Sequence, residues 1–181
     1  MKTISIICQK GGVGKTTTVV NTASIFASLG YRTLILDLDP QGNVSTYLNY
    51  DKNDESNSNS IDLLEKKNPI IPGKIKENLY ILSSNIQIAK FNEEKIVGGS
   101  KLQQAFHTDI LNKYDLVIID TPPTMSSLVQ EALAVSDYYL IPVKPEFLAV
   151  EGVAQAMNFA KKTIASIQNT NPLFIGVILN Q

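Results

Sequence analysis

Cysteine and histidine are nearly missing from this 181-residue chain, which has one of each, Cys8 and His107. A single thiol closes no intrachain disulfide and builds no all-cysteine metal or cluster site within one chain. An excess of either charge is also lacking. Sixteen Lys plus Arg face seventeen Asp plus Glu, for a net charge of -1 and a pI near 5.8. No global basic field marks a nucleic-acid partner, and any DNA contact must come from a local patch. Long apolar runs are absent too: none approaches the roughly 18 residues that span a bilayer. The opening MKTISIICQKGG meets glycines too early for the apolar core of a secretory signal, so the expected compartment is a reducing cytoplasm.

What is present is a globular composition, with 44% apolar and 18% charged residues, ten Gly, eight Pro and a mean hydropathy of +0.02. The length suits one domain spanning residues 1–181. Six short runs rich in Ile, Leu and Val read as strands: Ile4 to Cys8, Thr33 to Asp37, Leu79 to Leu82, Leu116 to Asp120, Tyr138 to Pro142, and Phe174 to Leu179. Most are continuous rather than alternating, as in strands covered on both faces. Between them, Thr16 to Leu29, Leu102 to Leu111 and Val150 to Ile167 carry helical spacing. The first of these sets Val19, Val20, Ala23, Phe26 and Ala27 on one stripe. This alternation predicts an α/β fold, a mostly parallel sheet flanked by helices on both faces, with ligands beyond the carboxyl ends of the strands. Asn49 to Ser60 is almost wholly polar and predicts a mobile surface loop.

The chemistry concentrates at the end of the first strand, where Gln9, Lys10, Gly11, Gly12, Val13, Gly14, Lys15 and Thr16 lead into a helix. A glycine-rich turn between a buried strand and a helix start points several backbone N–H groups into one concavity, with the helix dipole behind them. That is a phosphate cradle. Lys15 is placed to reach terminal phosphates and the Thr16 hydroxyl to bind Mg²⁺. The usual P-loop pattern has Gly where Gln9 stands, and here Lys10 puts a second lysine inside the loop. Thr17 and Thr18 read as helix-cap and packing residues, with Thr17 also counted in the nucleotide-binding set. Cys8 reads as a small buried residue of the first strand and His107 as a surface helix residue. Asp37 and Asp39 fall at the end of the second strand and Asp120 at the end of the fourth, where an acidic residue partners a P-loop through the Mg²⁺ shell.

KGGVGKT at Lys10 to Thr16, DLDPQGN at Asp37 to Asn43 and VIIDTPP at Val117 to Pro123 together resemble the ParA/MinD family of deviant Walker A ATPases, most of all its short, Soj-like ParA partition proteins. LYILSSN at Leu79 to Asn85 and YLIPVKPEFLAVEG at Tyr139 to Gly152 extend the similarity over nearly the whole chain. The resemblance implies ATP and Mg²⁺ as cofactors, and a homodimer that forms on ATP. It assigns Lys10 as the signature lysine that reaches the partner's ATP, Asp39 as the residue positioning the attacking water, and Asp120 as the Walker B carboxylate. Gly11, Gly12, Val13 and Gly14 would donate backbone N–H groups to phosphate, and Asn180 resembles the position that meets the adenine. A ParB-like centromere-binding partner, nonspecific DNA and a nucleoid-associated location are implied as well. A second ammonium in the loop also has a physical use, since it can stabilise charge developing on a transferred phosphoryl group.

At FIGVILNQ, Phe174 to Gln181, the chain ends where the family continues, so the expected fold lacks the family's C-terminal elements. Lys161 and Lys162, the adjacent basic pair late in the chain, read as a solvated helix face. No terminal basic amphipathic stretch suggests a membrane, and the early P-loop leaves no helix-turn-helix ahead of it. Iron–sulfur relatives with the same loop need cluster cysteines that this chain lacks. A MinD-like positioning ATPase acting on a membrane or protein cargo stays open as an alternative. The helix after Pro122 and Pro123 is expected to act as a nucleotide-state switch.

Overall fold

The computed structural model describes residues 1–94, 96, 99–107, 111–146, 149–167 and 171–180. In chain order the elements are β1 (Lys2–Ile6), α1 (Lys15–Ser28), β2 (Thr33–Asp37), α2 (Asn43–Tyr47), α3 (Ser60–Leu64), β3 (Gly73–Lys76), β4 (Leu79–Leu82), a 3₁₀ turn Ile86–Phe91, α4 (Lys101–Phe106), β5 (Leu116–Asp120), α5 (Ser127–Val135), β6 (Tyr138–Val143), α6 (Ala149–Ser166) and β7 (Leu173–Leu179). Among the described residues seven strands form one sheet in the order β3-β4-β2-β5-β1-β6-β7. Every pairing is parallel except β3 with β4. This is the mostly parallel, helix-flanked sheet of a P-loop NTPase.

Strand side chains alternate between two apolar layers, because successive Cβ atoms point to opposite faces. Leu34, Leu36, Val117 and Ile119 pack with Ile61, Leu64, Leu102 and Leu128 of α3, α4 and α5. Ile6, Ile35 and Ile118 face the other way and pack with Val19, Ala23 and Ala27 of α1. Ala156 and Ala160 of α6 close a third layer with Ile141, Val143 and Val129. The stripe expected on the first helix is thus buried at Val19, Ala23 and Ala27, with Val20 and Phe26 partly covered.

The chain runs from β1 past β5 to β2 and β4, returns to β5, and crosses β1 to β6. The carboxyl ends of β1, β2 and β5 therefore adjoin, with Ile6 beside Asp120 and Asp120 beside Asp37 in the ladder. Open α/β sheets bind ligands in such a crevice.

Several boundaries differ from the sequence reading. The first strand ends at Ile6, with one further bond from Ile7 N to Leu140 O at 3.0 Å, so Cys8 is buried just beyond the strand. The helix expected over Leu102 to Leu111 spans Lys101–Phe106, its start set by the Ser100 hydroxyl accepting from Gln103 N at 3.0 Å. Residues 108–110 lie outside the described ones, and His107 is exposed at the helix end. The polar segment closes inside structure: the Asn59 side chain accepts from Ile61 N and Asp62 N, and Asp62 accepts from Asn59 N, so this capping box makes Ser60 the first residue of α3. β3 has no apolar run to betray it and forms by antiparallel pairing across the turn at Asn78. β7 departs from the expected burial. It is an edge strand paired only with β6 among the described residues, and its large side chains are mostly exposed, Leu179 at 73%.

Candidate functional site

Beyond Ile6 the backbone lifts out of the sheet and turns back into α1 through Gln9 to Gly14. Gly14 caps the helix in the left-handed region, φ 93°, and a Cβ there would collide with the Asn180 side chain. Asn180 donates through Nδ2 to Val13 O at 3.2 Å, while its own N–H continues the ladder to Val143 O at 2.8 Å. The end of β7 is thereby tied to the loop. Among the loop positions, Gly11 and Gly12 are exposed and Val13 is buried. Thr17 is half-buried in the first turn of α1 and its carbonyl accepts from Asn21.

Lys15 is buried, and its ammonium donates to Lys10 O at 3.3 Å. Burial lowers its pKa, and the charges of Asp120, Cys8 and Asp39 oppose that drop. One residue on, Thr16 Oγ1 donates to Asp120 Oδ2 at 2.7 Å. Asp120 is fully buried. Its carboxyl is pushed up to about 7 chiefly by burial, with Asp39 adding to the rise and the Thr16 bond and Lys15 working against it.

Asp37 neighbours Asp120 in the ladder, and its Oδ1 accepts from Asp39 N at 2.9 Å. Burial, then the Asp120 charge, raises the Asp37 carboxyl well above the ordinary carboxylate range. Asp39 is also buried, and its Oδ1 accepts from Gln41 N at 2.9 Å in a turn that ends at Gly42. At Gly42, with φ 62°, a Cβ would sit 2.5 Å from Ser84 O, so the DLDPQGN turn needs glycine there.

Two carboxylate oxygens at this crevice, Asp120 Oδ1 and Asp37 Oδ2, are buried without a hydrogen-bond partner among the described residues. Buried orphan acceptors are rare, and two on neighbouring strand ends call for donors that arrive with a ligand. Thr16 gives its proton to Asp120, which leaves its lone pairs free for a cation. Among the described residues no three His, Cys, Asp or Glu side chains converge on one point. The hydroxyl of Thr16 and the carboxylates of Asp120 and Asp39 are hard oxygen groups of the kind Mg²⁺ takes, so these three residues fit the ion and could hold it.

The expected residues fall into two groups. Lys15, Thr16, Asp39 and Asp120 meet at the crevice, whereas the Lys10 ammonium is turned to Glu146 in an ion pair at the surface. Lys161 and Lys162 are exposed on α6, as a solvated helix face requires. Sequence reasoning assigned no role to Glu146 or to the orphan oxygen of Asp37. Their signal was positional, since both follow or end a buried strand at the carboxyl edge of the sheet. Among the described residues no helix is long and apolar enough to cross a membrane.

A family model described as an AAA domain matches residues 1–173. The sporulation initiation inhibitor protein Soj of Bacillus subtilis is 37% identical, over 98% of this chain and 72% of that protein. The chromosome partitioning protein ParA of Caulobacter vibrioides is 31% identical, over 99% of this chain and 69% of its own length. The crystal structure of a putative plasmid partition protein from Borrelia burgdorferi bound to AMPPNP superposes with a TM-score of 0.79 at 26% identity, covering 99% of this chain and 85% of that one.

Proposed function

The chain belongs to the Soj-like ParA branch of the ParA/MinD family, and from that premise we propose that it is a partition ATPase that binds Mg²⁺-ATP, pairs with a second copy and hydrolyses the nucleotide slowly. The observation that carries this reading is the Thr16 to Asp120 hydrogen bond, flanked by the unpartnered oxygens of Asp120 and Asp37.

Backbone N–H groups of Gly11 to Gly14 and the Lys15 ammonium hold the phosphates, aided by the α1 dipole. Thr16 and Asp120 would hold the metal, which when bound would neutralise charge on the phosphates. Asp39 orients the water that attacks the terminal phosphorus. Lys10, supplied by the opposite chain, lies against the transferred phosphoryl group and stabilises its developing charge. Asn180, next to Gly14, meets the adenine. Pairing then depends on ATP, and hydrolysis ends it.

The names of the relatives, Soj and a chromosome partitioning ParA, support a partition role; the partner in this reading is a ParB-like centromere-binding protein that stimulates turnover, with nonspecific DNA as the surface from which the dimer is released. The working location is the cytoplasm, on the nucleoid. The reading is tested by equilibrium binding of a fluorescent ATP analogue to wild type and Lys15→Ala. Loss of the ammonium is expected to weaken binding about 10- to 100-fold, the value of a charge-assisted bond to phosphate. Equal affinities would overturn the assignment of the cradle.

A further inference from the structure

Glu146 lies in the turn between β6 and α6, where its N–H donates to Lys144 O at 2.8 Å and its carbonyl accepts from Ala149 N at 2.9 Å. Its carboxylate takes the Lys10 ammonium as an ion pair. The hydrogen bond to Lys10 comes first and the Lys10 charge second in holding the Glu146 carboxyl below its ordinary range, with Lys144 a smaller contributor. Inside the loop, Lys10 O accepts from Lys15. Both loop ammoniums are thus tied within one chain, Lys15 to the loop backbone and Lys10 to a carboxylate outside it. Beside the pair a cleft of about 290 Å³, lined by Gln9, Lys10, Glu151, Gly152 and Gln155, leaves room for the lysine to move.

We infer that Glu146 is a positioning residue that parks Lys10 away from the phosphate cradle, so that pairing of two chains on ATP has to break one Lys10–Glu146 pair in each. The consequence for pairing rests on the reading of Lys10 as the lysine supplied to the opposite chain. The two side chains are 47% and 51% exposed. An exposed pair of this kind shifts an equilibrium by about two- to fivefold. A symmetric dimer breaks two, and the factors multiply to about four- to 25-fold. That opposes pairing without nucleotide, yet is small beside the attraction of a triphosphate for the freed ammonium.

The test compares the full chain with Glu146→Gln and Glu146→Asp. First, acylation of Lys10 by an amine-reactive reagent is followed by mass spectrometry in nucleotide-free protein, with Lys161 as internal reference. The ion pair shields the amine, so Lys10 should react about two- to fivefold faster in Glu146→Gln and near the wild-type rate in Glu146→Asp. Second, dimer dissociation constants are measured by sedimentation with a slowly hydrolysed ATP analogue. Glu146→Gln should pair about four- to 25-fold more tightly, a difference that shrinks as salt rises and vanishes in a Lys10→Ala background. Unchanged Lys10 reactivity in Glu146→Gln overturns the parking of Lys10. Faster labelling with unchanged or weaker pairing overturns its role in dimerisation. Faster labelling in chains that never pair on nucleotide leaves the parking standing and removes the partition reading instead.

Discussion

Thr16 Oγ1 and Asp120 Oδ2 lie 2.7 Å apart, one opening α1 and the other ending β5, separated by 104 positions in the chain. The bond fixes which way the hydroxyl proton points, and so which lone pairs remain for a cation. It also couples the glycine-rich loop to the strand that leads into α5.

From that geometry, Thr16→Ala should bind the ATP analogue without magnesium about as wild type does and lose the gain that magnesium brings. The expected loss is about tenfold or more, measured by titration with and without the metal. An unchanged magnesium response would show that the hydroxyl is not a ligand.

Asp39 is held by its own turn and touches neither the Lys15 ammonium nor Thr16 through a hydrogen bond among those described. Asp39→Ala should therefore keep analogue affinity within a few-fold and lower turnover by about 10² to 10⁴, the usual worth of a group that directs proton and water in the transition state. A steady-state phosphate-release assay paired with analogue binding separates the two effects. Loss of binding equal to the loss of turnover would reassign Asp39 to the metal alone.

The buried carboxyls make stability depend on pH in a defined direction. Asp120 is raised from 3.8 to about 7, so between these values the folded chain holds a proton that the unfolded chain releases. The resulting cost is absent below the unfolded value, grows as pH rises and is complete above about 7. Asp37 contributes with the same sign. Asp120→Asn keeps an acceptor for Thr16 and removes the ionisation. Nucleotide-free Asp120→Asn should be more stable than wild type by on the order of 4 kcal/mol at pH 8, with the gap narrowing toward pH 5. Chemical denaturation across that range measures it, and a gap that widens in acid would refute the account.

Thr121 follows Asp120 and anchors to Ile6 O through its hydroxyl at 2.7 Å, and two prolines then lead into α5. A change of ligand at Asp120 has a short, stiff route to that helix. Hydrogen exchange over residues 124–134 should differ between the ADP-bound chain and the chain with a slowly hydrolysed ATP analogue. Identical protection would remove α5 as the switch.

Much of this was legible in the residues. The glycine-rich loop after a continuous apolar strand, and acids ending two further strands, depend on local spacing alone. Gly14 and Gly42 show why: each sits at a positive φ that few other residues adopt, so backbone geometry writes itself into the chain. The strand cores of β2, β4 and β5 were likewise fixed by buried apolar runs. What local pattern could not give was anything decided by pairing or capping at a distance. β3 is a strand because β4 offers it an edge, and Asn59 ends a polar loop because Asp62 completes a capping box.

The sequence by itself determined that a glycine-rich strand-to-helix turn and acidic strand ends exist, because turn conformation and strand burial are short-range demands. Only the tertiary structure decided that β5 lies between β1 and β2, since strand order arises from crossovers that no local signal encodes. That order buries Asp37 and Asp120 side by side, and burial raises both carboxyls. It sets Thr16 against Asp120, and the neighbouring placement of β6 beside β1 brings Glu146 to the Lys10 ammonium.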